Sequence, residues 1–151
     1  MRIGRLEPGD EALAAGAADL FDDALDAETT RRFLSEEGHH LMIAFEGDTA
    51  VGFITGIELL HPDKPGPEMF LYELAVGERF RRRGIGRALI ESLTDLAHER
   101  GCYGMFVFTD DQNPAGNATY AAAGGTREPN QVMFSWDWRS PPNSAGNDLS
   151  R

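Results

Sequence analysis

Cysteine, long apolar runs and positive charge are all scarce in this chain of 151 residues. Cys102 is the only cysteine, so no intrachain disulfide can form and cysteine usage lends no support to secretion. No run of about eighteen apolar residues is present to form a spanning helix. The opening Met1-Arg2-Ile3-Gly4-Arg5 has no apolar stretch behind it, so a cytoplasmic protein without a membrane partner is expected. Fourteen Lys and Arg face 25 Asp and Glu, a net charge of −11. That balance argues against nucleic acid, whose binding depends on cations displacing counterions from phosphates, and suits a cationic partner better.

What is present is ordinary for a globular chain: 41% hydrophobic and 26% charged residues. The length is one domain's worth, able to bury roughly two thirds of the surface of the unfolded chain. Periodicity predicts strands at Arg2–Leu6, Leu41–Phe45, Val51–Leu59, Met69–Val76, Tyr103–Thr109 and Val132–Trp138. Helices are predicted at Glu11–Leu25, capped by Asp10, at Ala27–Glu37, capped by Asp26, and at Ile85–Arg100 and Pro114–Ala123. Glu46-Gly47-Asp48-Thr49 reads as a hairpin turn. The Pro-rich 61–67 segment is a loop and a candidate to line a substrate site. In the last predicted strand Val132, Phe134, Trp136 and Trp138 share one face. The domain is expected to span 1–138, with a disordered tail over 139–151, where Ser, Pro, Asn and Gly dominate. The element order is that of a mixed α/β fold, mostly antiparallel, with the helix from Ile85 joining a parallel pair of strands.

Against the acidic background, residues 79–87 hold five arginines and no carboxylate. Arg81-Arg82-Arg83-Gly84-Ile85-Gly86-Arg87 lies between a predicted strand and a predicted helix. A turn opening a helix presents unpaired N–H groups and the positive end of the helix dipole, and glycines let a phosphate approach the backbone. A Walker A loop would need Gly-Lys-Ser/Thr, and a dinucleotide fingerprint would need glycine where Leu89 stands. A solvated basic face is the plain alternative.

Arg81-x-x-Gly84-x-Gly86 resembles the R/Q-x-x-G-x-G/A motif of the GNAT acetyltransferases, and Leu74-Ala75-Val76 resembles their motif strand. Asn113, Tyr120 and Gly124 are similar to that family's second coenzyme segment, with Gly116 where alanine is common and Gly125 where phenylalanine is common. The resemblance implies a mixed, mostly antiparallel sheet with a central parallel strand pair splayed around acetyl-CoA and flanked by four helices. It implies coenzyme contacts from Leu74, Ala75, Val76, Arg81, Arg82, Arg83, Gly84, Ile85, Gly86, Arg87 and Asn113, with backbone N–H groups near 74–76 stabilising the thioester oxygen.

Acetyl transfer to an amine needs a base and a proton donor for the departing thiolate. Tyr120 is the candidate donor, since a phenol and a thiol are close in acidity, and Tyr72 is its rival. For the base, Glu73 stands in an otherwise apolar strand, where a carboxylate is costly unless it is paired or faces a cleft; the alternative is a solvent-facing sheet residue. Asp110 and Asp111 end the neighbouring strand, at the carboxyl edge where open α/β sheets place ligands. The four histidines show no ligand spacing, so no metal is expected, and Cys102 reads as packing.

Within the family, Tyr72 to Val76, the Asp110-Asp111 pair and the last aromatic strand resemble the class I aminoglycoside 3-N-acetyltransferases. That likeness implies a homodimeric antibiotic-resistance enzyme acting on the 3-amino group of deoxystreptamine, with Tyr72, Glu73, Asp110 and Asp111 on the substrate. In that group aspartate is more frequent where Glu73 stands. Acidic patches would equally attract a small polyamine or a protein amine.

Overall fold

A computed structural model describes residues 1–139. The predicted tail therefore lies, but for Arg139, outside the described residues. The elements run β1 (Arg2–Arg5), α1 (Glu11–Ala15), α2 (Ala27–Ser35), β2 (His39–Glu46), β3 (Thr49–Leu59), β4 (Glu68–Val76), α3 (Ile85–Glu99), β5 (Gly104–Phe106) and α4 (Pro114–Ala122), with short 3₁₀ turns at Ala18–Leu20 and Glu78–Phe80. The five strands form one sheet in the order β1-β2-β3-β4-β5, antiparallel except for the β4–β5 pair. This is the GNAT fold expected above.

Each face of the sheet has its own core. On one, α3 lays Ile85, Leu89, Ile90, Leu93, Leu96 and Ala97 against Met42, Ile54, Met69 and Leu71. These helix positions recur at three and four residues, which turns one stripe to the sheet. On the other, Leu6, Ala14, Ala17 and Leu34 cover Leu41, Ile43, Phe45 and Phe53. The side chain of Asp26 accepts from Thr29 N at 2.7 Å and caps α2, a contribution of about 1 kcal/mol.

Four expectations are corrected. The helix predicted over Glu11–Leu25 ends after Ala15 and resumes only as a 3₁₀ turn, the chain leaving helical geometry at Ala17 (φ −104°, ψ 9°); Asp10 accepts from Glu7 N instead of capping α1. The helix Ala27–Glu37 stops at Ser35, where Glu36 turns extended. The strand Tyr103–Thr109 keeps only Gly104–Phe106, since β4 and β5 part company beyond Phe70↔Phe106. Val132–Trp138 forms no strand, and Val132, Phe134, Trp136 and Trp138 are all exposed. The parallel pair consequently lies at the sheet's margin among the described residues.

One irregularity positions the site. In the β3–β4 ladder Thr55 pairs with Glu73 and Gly56 with Leu71, leaving Tyr72 as the extra residue of a bulge. A bulge reverses side-chain parity. Met69 and Leu71 before it and Leu74 and Val76 after it therefore all pack on the α3 core, while Tyr72 and Glu73 are left exposed.

Candidate active site

The fork between β4 and β5 is the site's framework. Pairing ends at Phe70↔Phe106, so among the described residues the β4 edge from Leu71 to Val76 has no strand beside it on the β5 side. The backbone groups of the Leu74–Val76 stretch that point to that edge, apart from Val76 O, which Arg81 takes, are available to an extended ligand, as a missing strand would be.

The arginine-glycine loop closes the fork's open end. Gly84 takes φ +77° as the residue before α3 and has no side chain to cap it, and nothing lies within 4 Å of where a Cβ would be. The first-turn N–H groups of Ile85, Gly86 and Arg87 thus face outward without a side-chain partner, which is what phosphate oxygens require. Arg82 also adopts positive φ, +59°, folding the loop tightly in front of the helix. Gly86 serves packing rather than ligand approach: a Cβ there would meet Thr119 Cγ2 at 3.2 Å and Val76 Cγ2 at 3.7 Å, so its smallness draws α3, α4 and β4 together.

The arginines are not equivalent. Arg81 donates through Nε to Val76 O at 3.2 Å, fastening the loop to the end of β4. Arg83 pairs with Glu46 at 2.5 Å and lies over the Phe80 ring, and Arg87 pairs with Glu91 at 2.7 Å. Such exposed pairs are worth about 0–1 kcal/mol, too little to hold a guanidinium against a competing phosphate.

Tyr120, half-buried on α4, lies beneath the fork. It lines a cavity of about 210 Å³ with Leu71 and Val107, the first residues past the last β4–β5 pair, and with Met105 and Ile90. Burial raises its phenol above the ordinary tyrosine value and keeps it protonated. Asn113 caps α4, its Oδ1 accepting from Gly116 N at 3.0 Å and its Nδ2 donating to Thr109 Oγ1 at 3.2 Å. A Cβ at 116 would overlap the Asn113 side chain as it is placed, so alanine there would require that side chain to shift. At the far end Gly125 N donates to Tyr120 O and Gly124 N to Ala121 O, a Schellman close in which Gly124 has φ +92°.

Two carboxylate groups stand on the fork's two lips. On β4, Glu73 N donates to the hydroxyl of Thr55 at 3.0 Å. Although Glu73 is exposed as a residue, its carboxyl is partly desolvated against the sheet and is raised above its ordinary value, first by that desolvation and next by the Asp22 carboxylate, against a smaller opposing effect of Thr55. On the other lip the Asp110 carboxylate accepts from Gln112 N at 2.6 Å, its carbonyl from Asn117 Nδ2 at 2.8 Å, and Asp111 pairs with Arg127. The Asp110 and Asp111 carboxylates are thus engaged within their own turn and with Arg127, whereas Glu73 has a perturbed environment. Tyr72 is 57% and Phe108 56% exposed beside them, with Phe70 stacked on Phe106 at 4.8 Å. The Pro-rich loop is corrected: Tyr103 N donates to Pro67 O, so the loop sits at the closed end of the strand pair and does not line the fork.

The description "Acetyltransferase (GNAT) family" matches residues 10–124, which include the loop, the fork and α4. The chain belongs to that family. Among curated GNAT relatives, N-acetyltransferase 8B of Rattus norvegicus is 26% identical over 113 residues, covering 75% of this chain and 50% of its own. L-2,4-diaminobutyric acid acetyltransferase of Nocardia farcinica (strain IFM 10152) is 36% identical over 78 residues, covering 52% of this chain and 39% of its own. The chain spans about half the length, or less, of these relatives. Among solved structures, an aminoglycoside acetyltransferase from an uncultured soil metagenomic sample, in complex with sisomicin, superimposes with a TM-score of 0.84 at 24% identity, over 90% of this chain and 95% of that one. A second such metagenomic aminoglycoside acetyltransferase gives 0.79 at 29% identity, over 90% and 97%.

The sequence marks Asp22 only as part of the acidic patch Asp22-Asp23-Asp26-Glu28 that could attract a cationic substrate, and gives no sign of Thr55. Asp22 approaches Glu73 only through tertiary folding. Thr55 is 3% exposed and would read as ordinary strand filling. Among the described residues no helix is long and apolar enough to cross a membrane.

Proposed function

We propose that this GNAT protein transfers an acetyl group from acetyl-CoA to a primary amine of a polycationic aminoglycoside, the 3-amino group of deoxystreptamine, and so confers antibiotic resistance as a cytoplasmic homodimer. The observation carrying the acceptor is the Glu73 carboxyl, raised by burial and by Asp22, on the lip of the fork. It offers both attraction for ammonium groups and a proton acceptor more basic than an ordinary carboxylate. Exposed Tyr72 and Phe108 add an apolar surface on which a sugar ring can rest.

The residues of the loop and fork fit the coenzyme: Gly84 to Arg87 with their free N–H groups would hold its pyrophosphate with Arg82 and Arg83, and the Leu74–Val76 edge its extended arm. When bound, acetyl-CoA supplies the thioester that is the acetyl source. Glu73 takes the ammonium proton, directly or through water, with Asp110 on the opposite lip to orient the amine. N–H groups of the Leu74–Val76 edge take up negative charge on the carbonyl oxygen. As the new C–N bond forms and the C–S bond breaks, Tyr120 would give its proton to the departing sulfur and regain one from the acylated nitrogen, a role favoured by the burial that keeps it protonated.

A second reading, a small diamine acceptor, is favoured by the 36% identity to the diaminobutyric acid acetyltransferase. A thiol-release assay with acetyl-CoA against aminoglycosides, diamines and peptides, followed by locating the acetylated nitrogen, separates the two. Turnover confined to diamines or peptides would overturn the aminoglycoside assignment.

A further inference from the structure

The segment between α1 and α2 is held to the sheet by its side chains. Phe21 N donates to Ala18 O at 3.1 Å, and among the described residues no backbone N–H from Asp22 to Asp26 donates to a protein group. A stretch without backbone bonds takes its place from what its side chains touch. Leu20, Phe21 and Leu25 pack on the core of this face, while Asp22, Asp23 and Ala24 between the last two are exposed. The tightest of these anchors is an aromatic stack: the Phe21 ring lies on that of Phe53 with centroids 3.9 Å apart and planes at 14°. Phe53 itself is buried in the sheet.

That stack stands next to Glu73. Phe53 pairs with Ala75 and Thr55 with Glu73, so strand alternation puts these four residues on the same face, the two pairs about 7 Å apart. Asp22 follows Phe21 directly, and its charge is felt by Glu73, which fixes the direction in which the chain leaves the stack. The other charged groups bordering this corner are Asp23 with Arg139 within its reach, Asp26 at the cap of α2, and Asp110 and Asp111 on the opposite lip. None of them acts on Glu73 as Asp22 does.

We propose that Phe21 is a positioning residue of the acceptor site, its stack on Phe53 holding the Asp22 carboxylate beside Glu73. Two like charges repel, and a segment free of backbone bonds would let Asp22 swing into water, where its charge is screened. The stack opposes that movement. Near-parallel rings fix orientation as well as burying area, so an aliphatic side chain of similar size keeps the burial and loses the constraint. The link to turnover rests on the reading of Glu73 as the proton acceptor, whereas the placement of Asp22 is measurable in the protein without any acceptor.

Carbon NMR of the Glu73 carboxyl, assigned through Glu73→Gln and followed against pH in the full chain, reads that placement. Asp22→Asn removes a like charge, so the Glu73 midpoint should move to lower pH. Phe21→Leu, shown to be folded by its far-ultraviolet dichroism, should move it the same way, Phe21→Tyr should keep the parent midpoint, and the Phe21→Leu/Asp22→Asn pair should go no lower than Asp22→Asn alone. A midpoint unmoved by Phe21→Leu or by Asp22→Asn overturns the proposal. So does a double variant that falls further, since Phe21 would then act by burying Glu73 and not through Asp22. Ile43→Val, a change in the same core, should lower the melting temperature and leave the midpoint in place; a midpoint that follows it would show general loosening and overturn the proposal as well. The acid limb of kcat/KM with acetyl-CoA and kanamycin should shift with the midpoints. Midpoints that behave as expected while that limb stays put support the role of Phe21 and remove Glu73 as the proton acceptor.

Discussion

The backbone N–H of Glu73 is bonded to the side chain of Thr55, at 3.0 Å, although the two residues are neighbours on adjacent strands. The bulge at Tyr72 takes this amide out of the regular ladder, and a buried hydroxyl receives it. Thr55→Val removes the acceptor while keeping shape, leaving an amide short of a partner at a cost of about 1–3 kcal/mol. Thermal melts should show the loss, kcat/KM should fall with it, and Thr55→Ser should recover both. An unchanged melt would mean that water replaces the hydroxyl.

Asp22 should tune the acid limb of the reaction. Because Glu73 is raised by burial and then by Asp22, activity should be lost on acidification at a higher pH than an ordinary carboxylate would give. Asp22→Asn removes the like charge but not the burial, so the limb of kcat/KM should move toward lower pH without vanishing. Glu73→Gln should abolish the limb and most turnover. A profile unmoved by Asp22→Asn would separate that limb from Glu73.

Tyr120→Phe should cut turnover by about 10²- to 10⁴-fold, the usual worth of a positioned acid. The ring still lines the cavity below the fork, so coenzyme affinity measured by calorimetry should be largely kept. Turnover within a factor of about two of the parent would transfer the proton donation elsewhere.

Gly84→Ala places a side chain at φ +77°, which costs about 1–2 kcal/mol for an L-residue. Relaxing that strain would turn the first N–H groups of α3 away, so coenzyme affinity should fall about tenfold for each 1.4 kcal/mol of binding lost. Calorimetric titration with coenzyme A reads this directly.

Acid should weaken the fold through His40. Its ring is 1% exposed and held below the ordinary histidine value, first by burial, with the hydrogen bond to Glu58 at 2.7 Å opposing. A depressed folded value means that the unfolded chain takes the proton more readily, so this stability is whole above about pH 6.5 and drains away below it. Burial would raise Glu58, but its bonds to Arg100 and His40 prevail and leave it lowered, adding a second loss at more acid pH. Melting temperatures should therefore decline below about pH 6.5, with a shallower slope for His40→Gln in that window.

The local rules in the chain by themselves determined much of this protein. Apolar periodicity set α3, β2 and β3, Asp26 and Pro114 announced the starts of α2 and α4, and five arginines around Gly84 and Gly86 marked a phosphate loop against an acidic background. These are short-range signals, decided by side-chain spacing and backbone freedom within a few residues. Tertiary structure alone decided the rest. The alternation of Val132–Trp138 is a strand's, but a strand exists only where an edge accepts its hydrogen bonds, and no such partner lies within its own described chain. Gly86 looked like a ligand-facing glycine until Thr119 was brought against it. The bulge at Tyr72, the hydroxyl behind Glu73 and the Asp22 charge beside it join residues 18 to 51 positions apart, and their energetics depend on burial that no local pattern encodes.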